Sequence, residues 1–438
     1  MKKLLALTLL AALPALAYTP KPTVQFDASM LSAFGTPEVG ELTPLVQLDW
    51  LYGINTQSGI TNGTANGGNT DTLGGRLRLQ SGTSSTGVAV FQSKRPAKYR
   101  AGQGVTARFT TVFSTPVANN LQEIGVGNDT DGYFYGYNTN GAFGINFKSY
   151  GTNFWIAQTN WNGDRCLGSG ASQFTWNPTN GNVCMVKYPF LGYGAISFWV
   201  EDPIAGRFIL THIINYPNTK QTIQISNPNL SFYARNVNSG STVNQTMYSG
   251  SLGIFLSGQR SFSSNAKWAT ASNMKPVFAT ETNMISIQCA TNFNGQVNRS
   301  LIRLNSITLG GVFTGNGQVG SVIFNIRYNP TIGGTPAWNA INGTTNAPGG
   351  GSIINGNSIT TVDTAGTTVS GGMLEFNVAV AGCGTAASAG NGSSQVFDLT
   401  PYDIYIAPGD IVSISAYEPA GSVSTVNAVV ALTWTEDI

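Results

Sequence analysis

The chain has 438 residues, a formal net charge of +2, and only 10% Asp, Glu, Lys and Arg. Without Lys2 and Lys3, which lie in a removable N-terminal segment, the 22 Lys and Arg fall to 20 and equal the 20 Asp and Glu. Binding to nucleic acid without sequence preference needs clustered basic side chains. The balanced charge therefore argues against a nucleic-acid partner, and the densest basic cluster, "SKRPAKYR" at 93–100, is expected to be a solvated loop.

The N-terminus has the pattern of a secretory signal. Two lysines precede an apolar run that ends in Ala15, Leu16 and Ala17. This run has a small-residue cleavage site and is too short to span a bilayer. We therefore assign 1–17 to a signal peptide and expect a secreted protein, or one on a virion or cell surface, with no transmembrane anchor in the mature chain.

After an N-terminal segment, 18–42, the chain consists of short strands. The stretches at 105–113 and 321–328, "VTARFTTVF" and "SVIFNIRY", alternate apolar and polar residues with the period of a strand. The stretch at 195–216 reads as a hairpin around "DPIAG". No segment shows a sustained helical period. The sequence predicts an all-β protein.

The length exceeds what one hydrophobic core usually supports. We predict two antiparallel β-sandwich (jelly-roll) domains in tandem after the signal peptide. The first spans 43–262 and is concanavalin-like or laminin-G-like. A linker follows at 263–282, and a C-terminal jelly-roll domain spans 283–438. The Gly-rich stretch 332–357 is expected to be a surface loop.

Four cysteines occur, at Cys166, Cys184, Cys289 and Cys383, and none forms a CxxC pair. An even number after a signal peptide indicates two disulfides. Three connectivities are possible. We favour Cys166 with Cys184 and Cys289 with Cys383, because each pair stays within one predicted domain. Reduced, buried thiols are the alternative.

The chain is poor in residues for catalysis. His212 is the single histidine, and it shares a strand face with apolar residues, which indicates a core histidine. Serine and cysteine triads normally need a histidine base. Glycosidases need two carboxylates, and Glu123 with Glu201 is the one conceivable pair. We expect a protein that is not an enzyme.

The stretch "NDTDGYFYGYNTNGAFGINF", 128–147, is the most site-like part of the sequence. Asp129 and Asp131 before Gly132 resemble the start of a loop that binds Ca²⁺. The bidentate glutamate that completes such a loop is absent. Asn, Asp and Gly are also ordinary turn residues. We favour a turn that joins two strands and keep Ca²⁺ as the alternative.

The aromatic residues of the same region are candidates for a glycan site. Tyr133, Tyr135 and Tyr137 alternate along one strand, and Trp155 and Trp161 follow. On an open strand face these rings could stack on sugars. Packing in a sandwich core or against another subunit explains the same residues, and we favour packing.

Several phrases carry a family resemblance: "SKRPAKYRAGQGVTARFTTVF", "GVGNDTDGYFYGYN" followed by "FGINF", "FWVEDPIAGRFILTHIINYPN", "YIAPGDIVSISAY" and "VVALTWTEDI". Together they resemble β-rich structural proteins of large DNA viruses and phages. In these proteins a concanavalin-like or laminin-G-like sandwich precedes a C-terminal jelly roll similar to fibre heads and tumour-necrosis-factor-like trimers. The resemblance covers residues 40–438.

The resemblance implies a virion surface, fibre or capsid-associated protein that makes contacts rather than catalysing. We therefore expect a structural or adhesive protein of a virion or cell exterior, with homo-oligomers or other structural subunits as partners and a surface glycan as a further one. A secreted carbohydrate-binding protein is the alternative, and a glycan-cleaving enzyme is the third hypothesis.

Overall fold

The structure is a computed structural model that describes residues 31–35, 42–56, 58–61, 63–258, 267–298, 300–313, 319–341, 352–353, 358–384, 393–402, 404–419 and 426–437. The predicted signal peptide, 1–17, and most of the predicted loop 332–357 lie outside these residues. Within them the regular structure is strands and two short 3-10 helices, Gln158–Asn160 and Thr400–Tyr402. The all-β prediction is confirmed. No helix in the described ranges is long and apolar enough to cross a membrane.

Sixteen strands make up the first half of the described chain. They are β1 (Leu42–Asp49), β2 (Gly59–Ile60), β3 (Asn69–Leu73), β4 (Arg76–Gln80), β5 (Val88–Ser93), β6 (Val105–Thr111), β7 (Asn120–Gly127), β8 (Gly132–Tyr137), β9 (Phe143–Ser149), β10 (Thr152–Ala157), β11 (Asn182–Tyr188), β12 (Ile196–Glu201), β13 (Phe208–Ile214), β14 (Ser231–Asn238), β15 (Thr246–Ser249) and β16 (Ser251–Ser257).

These strands form an antiparallel sandwich. One sheet has the order β1-β16-β6-β11-β12-β13, and the facing sheet has the order β10-β9-β8-β7-β14-β5-β2. A three-stranded sheet, β15-β4-β3, accompanies them. The predicted hairpin at 195–216 is confirmed as β12 and β13, and the predicted turn after Asn128 joins β7 to β8.

One continuous hydrophobic core lies between the two large sheets. It takes every second residue of each strand, such as Ile124 and Val126 from β7 and Phe198 and Val200 from β12. This alternation is what the pleat of a strand requires. The residues between them point to the opposite face of each sheet.

The second half of the described chain also has sixteen strands. They are β17 (Lys267–Val277), β18 (Thr282–Cys289), β19 (Asn292–Phe293), β20 (Gln296–Val297), β21 (Leu301–Phe313), β22 (Val319–Tyr328), β23 (Thr331–Ile332), β24 (Asn339–Ala340), β25 (Ser352–Ile353), β26 (Thr360–Asp363), β27 (Val369–Ser370), β28 (Met373–Gly384), β29 (Ser393–Asp398), β30 (Tyr405–Ile406), β31 (Ile411–Tyr417) and β32 (Val426–Asp437).

Ten of these strands form one path, β24-β26-β18-β31-β22-β28-β21-β32-β17-β25, and β29 and β30 pair with β21. Its pairings are antiparallel except for a short parallel contact between β21 and β28. A second hydrophobic core lies on this sheet and includes Ile285, Phe324, Ile414 and Trp434.

The structure corrects the predicted linker at 263–282. Residues 267–277 form β17, which pairs along its whole length with the last strand, β32. Ala269, Ala271 and Val277 are buried in the second core. The sequence of this strand is rich in small and polar residues, so its apolar period is weak and the pairing with β32 determines its structure.

The predicted disulfides are also corrected. Cys166, Cys184 and Cys289 are free and buried. Cys166 and Cys184 pack as separate members of the first core, and the Cys289 thiol accepts a hydrogen bond from Asn298 Nδ2 at 3.4 Å. A shared domain does not bring two Cα atoms within the few ångströms that a disulfide requires. The side chain of Cys383 lies outside the described residues.

Trp434 provides a test of the second core. Its side chain is fully buried, and its Nε1–H lies 3.1 Å from Thr360 Oγ1. We expect Trp434→Ala to lower the free energy of unfolding by about 3–5 kcal/mol, because it leaves a large cavity. Val396 is 70% exposed, so Val396→Ala should change the free energy of unfolding by less than about 0.5 kcal/mol. Chemical denaturation of the full chain measures both, and equal effects would contradict this assignment.

Candidate functional site

The predicted aromatic glycan candidates lie mainly in the core of the first sandwich. Tyr133 and Tyr135 have no exposed surface, and Tyr137 and Trp161 are 7% and 1% exposed. The alternation in β8 turns the three tyrosines toward the facing sheet. A sugar cannot stack on these buried rings, so Tyr133, Tyr135, Tyr137 and Trp161 pack in the core and do not form a glycan site.

The buried tyrosines keep partners for their hydroxyl groups. The Tyr133 hydroxyl donates to Gln224 Oε1 at 2.8 Å, and the Tyr135 hydroxyl lies 2.7 Å from Thr211 Oγ1. Burial raises the pKa of both tyrosines well above the ordinary value. Both side chains therefore remain neutral and pack in the core.

The two aspartates of the predicted Ca²⁺ loop face different partners. Asp131 is buried, and its Oδ1 accepts the backbone N–H groups of Tyr150 and Ser226 at 3.0 and 3.1 Å. Asp129 is exposed and accepts a hydrogen bond from the Tyr233 hydroxyl at 2.6 Å. Within the described ranges no group of three or more His, Cys, Asp and Glu could hold a metal ion. The residues present do not fit the Ca²⁺ site, and the turn interpretation is confirmed.

The other residues considered for catalysis, His212, Glu123 and Glu201, do not come together in one site either. His212 is 7% exposed, and its Nδ1 accepts the backbone N–H of Asn162 at 3.2 Å, which confirms a satisfied core histidine. Glu201 ends β12 in the six-stranded sheet, whereas Glu123 lies in β7 of the seven-stranded sheet. The two glutamates are not brought together as a catalytic pair.

A more site-like arrangement lies on the outward face of the seven-stranded sheet. Neighbouring strands pair there so that one outward residue from each forms a line across the sheet. We call this line the cross-strand row; its members are Trp155, Asn146, Phe134, Gly125, Tyr233, Gln92 and Ile60. With strands about 4.8 Å apart, the six spacings of this row extend over about 29 Å.

Glycines on the outward face make room for an aromatic ring. A Cβ on Gly127 would lie 2.3 Å from Phe134 Cζ, and one on Gly132 would lie 2.4 Å from the same atom. The Phe134 ring therefore lies over these two glycines. Tyr233 meets it edge to face, with ring centroids 6.1 Å apart.

A charged cluster lies beside these rings. Arg235 Nε donates to Glu123 Oε2 at 2.7 Å, and Asn146 Nδ2 donates to Glu123 Oε1 at 2.5 Å. The Glu123 side chain is only 1% exposed. Lys148 Nζ lies 5.7 Å from the Phe134 ring centroid, and burial lowers the pKa of this lysine although Glu123 acts in the opposite direction.

Two polar atoms in this area are buried without a hydrogen-bond partner. They are Asn146 Oδ1, an acceptor, and Trp155 Nε1, a donor. The two residues are directly paired across β9 and β10. Each such atom costs about 1–3 kcal/mol when it lacks a partner, so this end of the row carries a local energetic cost.

At the other end of the row the surface opens into a depression of about 300 Å³. Its polar lining residues are Gln92, Asp129, Tyr233 and Arg235, and its apolar ones are Ile60, Val88, Val90 and Val237. Burial raises the pKa of Tyr233, and the hydrogen bond to Asp129 raises it further. Tyr233 therefore stays protonated and orients the Asp129 carboxylate.

Sequence reasoning named Trp155, Asp129 and Glu123 but missed Gln92, Tyr233, Arg235 and Phe134 as neighbours. The signal that could have indicated the outward face is the run of glycines in β7, β8 and β9. Gly125, Gly127, Gly132, Gly136 and Gly144 all fall on the face opposite the tyrosines.

No protein-family model and no curated protein sequence matches the chain. Solved structures to which the chain is similar include the cellulose-induced protein Cip1, at 14% identity over 48% of this chain and 96% of that chain, with a TM-score of 0.31. Peanut lectin is 12% identical over 51% of this chain and 100% of the lectin chain, with a TM-score of 0.31. An endo-1,3-β-glucanase from Streptomyces sioyaensis is 10% identical over 50% of this chain and 97% of the glucanase chain, with a TM-score of 0.35.

At these TM-scores the similarities identify no shared activity. They provide no evidence for a viral or phage origin.

The pair of Glu123 and Arg235 predicts a strong non-additive effect on stability. Arg235→Met should lower the free energy of unfolding by about 3–5 kcal/mol, because it leaves the Glu123 carboxylate buried without its counter-charge. Glu123→Gln in the same chain should recover much of this loss. A double-mutant cycle measured by denaturation tests it, and simple additivity of the two substitutions would contradict the coupling.

His212 predicts a pH dependence of stability. Burial lowers the pKa of His212 in the folded protein, so the unfolded chain binds the proton more readily. The stability contributed by the neutral His212 side chain is complete above about pH 6.5, the ordinary histidine pKa. It is lost as the pH falls toward the lower pKa of His212 in the folded protein. His212→Asn, which retains a hydrogen-bond acceptor, should flatten the stability curve in this window. An unchanged slope in denaturation experiments between pH 7 and pH 5 would show that another group is responsible.

Proposed function

We propose that the protein binds glycans, and that the outward face of the seven-stranded sheet in the first sandwich is the binding surface. The observation that carries this proposal is the depression lined by Gln92, Asp129, Tyr233 and Arg235 at the end of the cross-strand row. It combines hydrogen-bonding groups of both kinds with apolar surface, as ligand sites generally do.

The lining chemistry suits a sugar. Sugar hydroxyls both donate and accept hydrogen bonds, so a site needs both kinds of group. The Arg235 guanidinium keeps its terminal nitrogens as donors, since its Nε–H goes to Glu123. Asp129 keeps one carboxylate oxygen as an acceptor, since the other binds the Tyr233 hydroxyl. Gln92 supplies a donor and an acceptor, and no hydrogen bond of its amide occurs among the described residues. Val88 and Val90 offer contacts for the C–H groups of a ring.

We propose binding without cleavage. A glycosidase presents two carboxyl groups on either side of the bond that it breaks. Glu123 is engaged by Arg235 and Asn146 and is almost fully buried. Its carboxylate therefore fixes neighbouring side chains instead of meeting a substrate.

A structural or adhesive role on a virion or cell exterior remains the prediction of the sequence resemblance alone. Glycan binding is the property through which such a protein could attach to a surface. Self-association and other structural subunits likewise remain predictions.

A glycan array with the purified full chain tests the proposal. We expect binding that Gln92→Ala and Asp129→Ala each weaken about tenfold or more, because each removes a hydrogen-bonding group worth about 1.5 kcal/mol or more. Both side chains are at least partly exposed, so both variants should fold.

Gln221→Ala is the matched control, because Gln221 is exposed and is not part of the depression. It should leave binding unchanged. Absence of binding to every glycan, or binding that both site variants leave intact, would contradict the proposal.

A further inference from the structure

We infer that the binding surface continues from the first sandwich across the junction with the second, so that its ligand is a chain of several neutral sugar units held by both sandwiches. This inference rests on the proposed function and adds the class of ligand and the role of the second half of the chain.

The two halves meet in a defined junction. Lys94 Nζ of the first sandwich lies 3.5 Å from Asp410 Oδ1 of the second half. The Arg95 guanidinium lies over the Tyr405 ring, 4.6 Å from its centroid. Asp410 is fixed in turn by the Tyr328 hydroxyl, which donates to its Oδ2 at 2.5 Å. The junction therefore holds the second half beside the end of the cross-strand row.

A second depression, of about 350 Å³, lies at this junction. It shares Ile60, Gln92 and Asp129 with the depression on the outward face, so the two are continuous. Its far side consists of Val297, Asn298 and Pro408 from the second half of the chain. A ligand in the depression on the outward face that extends past Ile60 reaches this wall next.

The far wall is a fixed and partly apolar element. Val297 ends the short hairpin of β19 and β20 and is 61% exposed. The next residue, Asn298, anchors the hairpin, because its Nδ2 donates to the Ala290 carbonyl at 2.7 Å and its backbone N–H donates to the Thr291 carbonyl at 2.8 Å. Val297 is thereby presented as an apolar contact surface.

The dimensions favour a chain over a single sugar. The two continuous depressions have volumes of about 300 and 350 Å³, and each alone lies in the size range of a small-molecule site. Hydrogen-bonding groups occur along this path at Arg235, at Gln92 and Asp129, and at Asn128. A single ring could use only one of these places at a time.

The charges favour a neutral ligand. Glu123 is paired with Arg235, and Asp410 with Lys94. The exposed Asp129 carboxylate would repel an anionic sugar beside it, whereas it can accept a hydrogen bond from a neutral hydroxyl. The carboxylates of Glu123 and Asp410 are therefore neutralised by their partners, and Asp129 remains as a hydrogen-bond acceptor.

The test uses the full chain and a series of neutral glucan, galactan, xylan and mannan oligosaccharides from two to eight units. In the series that binds, we expect the longest member to bind at least tenfold tighter than the disaccharide. Val297→Trp should remove most of this gain and leave the disaccharide affinity unchanged, since it obstructs only the far wall. A uronic-acid oligosaccharide series of the same lengths should bind more weakly.

Gln296→Trp is the matched control, because Gln296 is the other exposed residue of β20 and its side chain points to the opposite face of the strand. It should retain the length dependence. The wild-type length series is a second measurement that does not depend on how either variant folds.

The outcomes separate the inference from the proposed function. If the disaccharide binds as tightly as the longest chain, or if Val297→Trp leaves the gain with length intact, the inference fails while glycan binding stands. Tighter binding of the uronic-acid series overturns the neutral ligand class. If no oligosaccharide of any length binds, the proposed function fails with it.

Discussion

The packing of the β8 tyrosines between the two sheets of the first sandwich is the constraint on which the proposed site depends. The Tyr135 ring meets Trp161, Trp176 and Phe198 edge to face, with centroids 5.9, 5.1 and 5.4 Å away. A slip of one residue in β8 would turn all of its core side chains outward. The aromatic contacts and the hydroxyl partners of the tyrosines oppose such a slip. They therefore also fix Phe134 and its neighbours on the outward face.

The outward face is ordered by a second constraint, which is electrostatic. Glu123 lies almost fully buried, and its two oxygens bind Arg235 and Asn146. Removing a charge from water is costly unless it is paired and hydrogen-bonded. The arrangement of these side chains is thus determined before any ligand arrives, which reduces the entropy lost on binding. The same ion pair that occupies Glu123 leaves the terminal nitrogens of Arg235 for a ligand.

The sequence was sufficient to predict the fold class and several local features. Period-two patterns predicted the hairpin of β12 and β13, and turn residues predicted the turn between β7 and β8. The apolar neighbours of His212 predicted its burial. The strand β17 was missed because its small and polar residues become a strand only through pairing with β32.

The site could not be predicted in the same way. Every residue of β8 is buried, so its sequence, "GYFYGY", does not show which face meets the core. The partners of the site also come from distant parts of the chain: Arg235 and Glu123 are separated by 112 positions, and only the register of β7 and β14 brings them together. The cysteines show the same difficulty, since spacing along the chain did not indicate whether two thiols meet.

The most direct test of the central claim is a crystal structure of the full chain with the oligosaccharide that binds most tightly. We predict sugar density on the outward face of the seven-stranded sheet, with hydrogen bonds to Gln92 and Asp129. Density that lies elsewhere on the molecule, with this face bare, would contradict it.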